Sequence, residues 1–377
     1  MRYYTCNEFN AQRCLITLDI RVGGFYVIWG FFMKRYRTIQ QQLHILTNNH
    51  GLIIDDANKE ASKFDLMSYG YHEIINGYQD AFMQLDREHQ LFDEGTRFEF
   101  LSELFRFDVR LRLAIRLSTE LFELTFKEAL SDAIASSYGT EQKEYLNLRN
   151  YRQGNTNQYG ETDRDWVMKQ VKKILKRDKY KLVKHHKEAG NVPPWILIKR
   201  LTFGDAKQLF VLIADPEVKN KVVKTLLPDT FVQTYGMTAA KQFINDLVSL
   251  SHKYRNEASH ANRMYDYYPT ERNIGIKNFN IFDPTPYSEE YLDKGNYTRG
   301  IHALMTGLSY MRNPEPSAML SQGIIDLLTG TFADQTKERP QVNERLLLYV
   351  LRAMHIPYSV TKSDEDETQL TIGSFSN

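Results

Sequence analysis

Arg255, Asn256 and His260 lie in one short stretch, Tyr254-Arg255-Asn256-Glu257-Ala258-Ser259-His260. These residue types meet the needs of RNA cleavage without a metal ion, in which the ribose 2′-hydroxyl is the nucleophile. An imidazole with an ordinary pKa of ~6.5 moves protons near neutral pH. A guanidinium holds and neutralises a phosphate through paired hydrogen bonds. An asparagine amide fixes the imidazole or donates to a phosphate oxygen. On a straight helix Asn256 and His260 are four apart and share a face. Arg255 is five residues from His260, roughly 140° round the axis at ~100° per residue. It reaches a common phosphate by swinging back, or it serves a site shared with a second subunit. Taken alone, the stretch reads first as a solvated helix end, where the helix dipole favours His260. Arg263, three residues further on, is a candidate second phosphate contact.

The elements that must position these groups are helical. Phe243, Leu247, Leu250 and Tyr254 recur at i, i+4, i+7 and i+11, so one apolar stripe leads into the polar hexamer. Residues 98–137 carry the strongest helical signal, with apolar residues on several sides and no Gly or Pro before Gly139. Such a helix belongs at the centre of a bundle. Asp108 with Arg112, and Glu123 with Lys127, are spaced as helical ion pairs, and each pair by itself reads as a solvated surface pair. Thr38 is placed to cap a helix over Ile39–Leu46 that stops at Asn48-Asn49-His50-Gly51. Asp55 or Asp56 caps the next, and Tyr69–Tyr78 reads as a tight bend. Residues 141–165 read as an exposed polar loop. Asp205 is expected to cap a helix over Ala206–Ile213, and further helices are expected at 298–312, 315–329 and 341–354.

Residues 167–187 hold nine Lys/Arg against one acid, Asp178, around an apolar stripe of Val167, Val171, Ile174 and Leu175. They read as one basic amphipathic helix. The functional reading is a phosphate track made by Lys169, Lys172, Lys173, Lys176, Arg177, Lys179, Lys181 and Lys184. The plainer reading is a solvated face.

Composition narrows the class. The chain has 377 residues, 42% hydrophobic and 25% charged, with a net charge of +1. These are ordinary globular values, so any nucleic-acid surface is local. Cys6 and Cys14 suggest neither a disulfide scaffold nor a metal site, and a reducing cytoplasm fits. Val22–Phe32 is an apolar run too short to span a bilayer, which takes ~20 residues. Residues 1–32 are expected to come from an over-extended reading frame, with Met33 as the natural start; the other reading is a membrane-surface anchor. Strand alternation is scarce, so the fold class is all-α. No nucleotide-phosphate loop, metal-ligand spacing or nucleophile elbow occurs, and neither metal nor cofactor is expected.

Several segments in order resemble one family. They are Gly51-Leu52-Ile53-Ile54-Asp55-Asp56, Tyr69-Gly70-Tyr71, Ile75-Asn76-Gly77-Tyr78 and Phe105-Arg106-Phe107-Asp108-Val109-Arg110-Leu111-Arg112. Glu120 and Glu123, Ser136-Ser137-Tyr138-Gly139, Pro193-Pro194-Trp195, Leu201-Thr202-Phe203-Gly204 and Arg255-Asn256 with His260 and Arg263 follow. The order resembles the bacterial abortive-infection proteins of the AbiD/AbiF (Abi-2-like) family, AbiF most closely, from about residue 33 to about 330. That family is grouped with the HEPN superfamily (higher eukaryotes and prokaryotes nucleotide-binding), whose signature is Arg-x4–6-His. The resemblance implies a HEPN-like helical bundle with additional helices and a cytoplasmic endoribonuclease toxin of phage defence. Arg255, Asn256 and His260 would be its catalytic residues, Glu123 would orient Arg255 or pack structurally, and Arg263 would support the site. It also implies RNA as partner, including a structured non-coding RNA, and a homodimer that completes the site. Lys199 departs from the pattern, because many relatives carry Glu there. The expected divisions are 1–32, 33–140 with the long helix, 141–192 with the basic helix, 193–330 with the hexamer, and 331–377 with a last helix and an acidic, disordered tail.

Overall fold

The computed structural model describes residues 17–18, 21–22, 25–26, 29–30, 36–83, 91–177, 180–271, 273–277, 296–333, 340–354, 356, 358–362 and 368–372. Helices dominate, and the fold is all-α. The chain forms two compact units, residues 1–101 and 102–377.

In the first unit four short strands pair antiparallel: β1 (Thr17–Leu18) with β4 (Trp29–Gly30), and β2 (Arg21–Val22) with β3 (Phe25–Tyr26). Helix α1 (Ile39–Asn48) starts at Thr38 as expected, in a capping box with Gln41. Helix α2 (Lys59–Tyr69) follows a short 3₁₀ turn over Asp56–Asn58, and the expected bend contains a π-turn over His72–Asn76. Leu46, Leu52, Leu66, Ile74 and Ile75 are buried, and Arg97 pairs with Asp55.

Helix α3 (Phe98–Tyr138) runs unbroken for 41 residues and forms the spine of the second unit. Its Phe122 and Phe126 meet Phe203 edge-on or tilted, at 6.3 and 6.1 Å between ring centres. The two ion pairs expected on the surface are buried instead. Asp108 is wholly enclosed, and Glu123 and Lys127 are nearly so. They tolerate enclosure because each charge also meets backbone polar groups or a second charge.

The segment after α3 is less exposed than its polarity suggests. It contains α4 (Gln142–Tyr145), and Tyr145 and Tyr151 are buried. Their hydroxyls donate to Val192 O at 2.6 Å and Tyr145 O at 2.8 Å. The basic stretch forms two helices, α5 (Asp163–Lys176) and α6 (Lys181–Glu188), because Arg177 and Tyr180 leave the helical region. Both pack against α7 (Pro194–Leu197), which is capped by Pro193 and has Pro194 at its first position. Helix α8 (Phe203–Leu212) begins two residues beyond Leu201, earlier than expected. Thr202 is its cap, and Asp205 sits at the third helical position, where its carboxylate accepts from the Thr202 hydroxyl at 2.8 Å.

Helices α9 (Pro216–Leu226) and α10 (Asp229–Tyr235) lead to α11 (Met237–Ser259), which packs on α8, α9, α10 and α12 (Ile301–Ser309). The predicted stripe holds: Phe243, Leu247, Leu250 and Tyr254 are fully buried. Helix α13 (Glu315–Leu328) crosses α3 where Gly323 faces Ala114, and a Cβ on the glycine would stand 2.9 Å from the alanine methyl. Helix α14 (Pro340–Ala353) precedes an antiparallel pair, β5 (Tyr358–Lys362) and β6 (Thr368–Ile372). The acidic residues 363–367 lie outside the described residues, as does most of 266–297.

Candidate functional site

Helix α11 delivers the hexamer to its own C-terminal end. The His260 backbone N–H still donates to Asn256 O at 3.0 Å, so the four-residue relation persists to the cap. Arg255 and Asn256 meet directly: the guanidinium Nη1 donates to Asn256 Oδ1 at 3.2 Å. From α3, the Glu123 carboxylate approaches Arg255 Nε at 3.9 Å. Glu123 is held in turn by Lys127, whose ammonium donates to Glu123 Oε1 at 2.5 Å and to Leu201 O at 2.6 Å. The structure thus brings Arg255, Asn256 and Glu123 together. The His260 side chain is exposed at the helix end and stands outside this group.

His252 completes the group, and sequence reading passed over it. Its Nε2 lies 3.0 Å from Asn256 Nδ2, so the ring accepts from the amide and its proton sits on Nδ1. Phe203 packs edge-on against the imidazole at 5.7 Å between ring centres. Gly204 leaves room for it, since a Cβ there would stand 3.0 Å from Nε2. Four-residue spacing from Asn256 was the available signal. Burial, and then the charges of Lys207 and Arg255, pull the His252 pKa down to about 4.

A base whose pKa falls on folding adds stability above its ordinary value of ~6.5, and that stability is lost as pH drops toward the folded value. One unit is worth ~1.4 kcal/mol, and water screening at this half-buried ring reduces the whole effect to about 1–2 kcal/mol. Denaturant unfolding of wild type is therefore expected to lose about 1–2 kcal/mol more than His252→Gln between pH 6.5 and 4. Equal losses would show that His252 carries no such shift.

The chain beyond His260 is pinned to α3. Asp108 Oδ1 accepts from the Met264 and Tyr265 backbone N–H groups, both at 2.9 Å. Asp108 Oδ2 binds Arg112 Nη1 at 2.8 Å, and that guanidinium donates to the Ala261 and Asn262 carbonyls at 3.2 Å. The loop closes over the helix end as Asn262 N–H donates to Glu257 O at 3.2 Å. This closure puts Ala261 at φ 60°, the left-handed position where glycine is usual. An L-residue pays roughly 1 kcal/mol there. Ala261→Gly is expected to raise unfolding stability by about 0.5–1 kcal/mol in urea melts, and a destabilised variant would refute the strain.

The remaining predicted residues divide. Arg263 is engaged by Asp266 through Nε at 2.9 Å and Nη2 at 2.6 Å. Lys169, Lys172, Lys173, Lys176 and Arg177 are exposed on or just after α5, and Lys181 and Lys184 on α6. Lys169 and Lys173 flank the exposed Trp166 ring at 5.9 and 5.8 Å, and Lys169 and Lys184 also pair with Glu161 and Glu188. Lys179 lies outside the described residues. No helix among the described residues is long and apolar enough to cross a membrane.

A family model described as Abi-like protein matches residues 65–266, more than half of the 377-residue chain and the whole hexamer. No curated protein and no solved structure matches the chain.

Proposed function

From the premise that the chain belongs to the Abi-like protein family, we propose that it is an abortive-infection protein of the HEPN type that binds RNA and cleaves it in the bacterial cytoplasm. The observation carrying this reading is the cluster in which Arg255 is hydrogen-bonded to Asn256 and ion-paired with Glu123, one turn before the exposed His260. Glu123 holds the guanidinium from α3 without enclosing it, which leaves donors for a phosphate. Arg255 stabilises charge on the phosphorane, and Asn256, locked by His252, positions.

The reaction needs no metal. The 2′-oxygen attacks the phosphorus and loses its proton to an imidazole. The 5′-oxygen leaves and takes a proton from an imidazolium. The products are a 2′,3′-cyclic phosphate and a 5′-hydroxyl. One His260 serves one of these transfers. Its exposed position suits a site shared between two copies, each supplying one imidazole. The exposed cations of α5 and α6 hold the RNA backbone, and Arg263 supports the loop from its pair with Asp266.

A second reading rests on the same exposure: with His260 outside the group, the chain is a non-catalytic module that grips a structured non-coding RNA. Cells expressing wild type or His260→Ala separate the two, when growth is followed and co-purified RNA is sequenced. Arrest by wild type alone, with the same RNA on both, supports the nuclease. Equal behaviour of the two proteins supports the module.

A further inference from the structure

We propose that a cleft beside the Arg255 group is a nucleobase site for single-stranded RNA, with Trp195 as its stacking platform. This rests on the RNA-binding reading above and names what one part of that surface recognises.

The cleft has a volume of about 320 Å³ and lies between α3 and the α7 region. That is near the lower end of the range for small-ligand sites, ~300–1,000 Å³. Trp195 on α7 and Leu124 on α3 line it, and they remain 44% and 49% exposed although both are large and apolar. An exposed indole and an exposed aliphatic side chain in one cleft offer apolar surface to a flat ring. Base–aromatic stacking is tolerant of sequence, because every base has a π-face.

The polar lining fits the rest of a nucleotide. Lys199, also exposed, gives a cation for a phosphate. Glu128, exposed on α3, gives an acceptor for an exocyclic base amine. Lys127 forms part of the wall, but its ammonium is already bound to Glu123 and Leu201 O, so it links the cleft to the Arg255 group rather than serving the ligand. The cleft is therefore separated from Arg255 by one carboxylate. Helix α7, which carries Trp195, also packs against α5 and α6, which carry the exposed lysines. A duplex buries its base faces in its own stack and offers nothing to this cleft.

The test uses the full chain carrying His260→Ala, with an oligouridine RNA containing one 2-aminopurine as probe. Binding is expected to quench the probe. Adding Trp195→Ala is expected to weaken affinity about 5- to 150-fold and remove the quench, and Trp195→Phe to recover most of both. Lys199→Glu changes only an exposed side chain. It is expected to weaken binding and lower the salt slope by about one, so a folding defect in Trp195→Ala cannot decide the matter. Single-strand affinity unchanged in both Trp195→Ala and Lys199→Glu overturns the site, as does equal quenching when the probe is in a duplex. The nuclease reading fails separately: if His260→Ala leaves RNA decay unchanged while Trp195→Ala still loses the probe, the cleft stands and the chemistry does not.

Discussion

His260→Ala is expected to slow RNA cleavage by the purified protein about 10²–10⁴-fold while leaving RNA affinity unchanged. The range is what a positioned proton-transfer group contributes. Affinity should survive because the ring stands outside the Arg255–Asn256–Glu123 group and holds none of it in place. The His260 main chain keeps its helical bond to Asn256 O whatever side chain it carries. Arg255→Ala should differ in kind. It loses a donor to the transition state, worth roughly 10²–10³-fold, and weakens phosphate binding as well. The comparison is read from single-turnover rates with end-group analysis, in which wild type leaves 5′-hydroxyl ends. A His260→Ala rate within threefold of wild type would remove this residue from the chemistry. Cleavage that requires added Mg²⁺ and stops with EDTA would contradict the metal-independent route.

Asp108→Ala is expected to cost about 3–5 kcal/mol, the loss typical when one partner of a buried ion pair is removed. The carboxylate is fully enclosed and accepts hydrogen bonds from Arg112 and from the Met264 and Tyr265 amides. Without it Arg112 keeps a buried charge, and the Met264 and Tyr265 amides lose their acceptor, at roughly 1–3 kcal/mol for each unsatisfied group. Contributions from one network do not add, so the pair figure is the better guide. Against a usual total of ~5–15 kcal/mol, this takes a large share of the stability. Asp108→Asn, which retains an acceptor for the amides, should cost less than Asp108→Ala. Chemical denaturation measures both, and a loss under 1 kcal/mol for Asp108→Ala would mean the clasp does not hold the loop.

The long spine and the α11 stripe were legible because both follow a single period without interruption. Thr38 was legible because its box partner Gln41 stands three residues on. Burial was not legible for Asp108, Arg112, Glu123 and Lys127. Their spacing gave the pairs, but the same spacing serves a surface and a core, and the partners that make enclosure tolerable come from residues far along the chain. His252 was hidden in the same way, since Gly204, which makes room for its ring, is 48 positions earlier. The basic stretch shows no Gly or Pro at its break, so periodicity carried one helix through two. β5 and β6 did leave a signal: Tyr358, Val360, Thr368, Leu370 and Ile372 recur at alternate positions. It was short and lay beside an acidic run, and the helical pattern elsewhere outweighed it.

The Asp108 clasp also changes how the helix end opens. A helix terminus usually frays turn by turn, with each amide exchanging its hydrogen through its own small fluctuation. Here the Met264 and Tyr265 amides are tied to one enclosed carboxylate, and the carbonyls just after His260 to its partner guanidinium. Freeing any of them leaves this enclosed ion pair with fewer hydrogen bonds. The last turn of α11, the loop after it and the Asp108–Arg112 turn of α3 are therefore expected to open together rather than one amide at a time. The imidazole is exposed at its tip, while the backbone that carries it is tied to this ion pair.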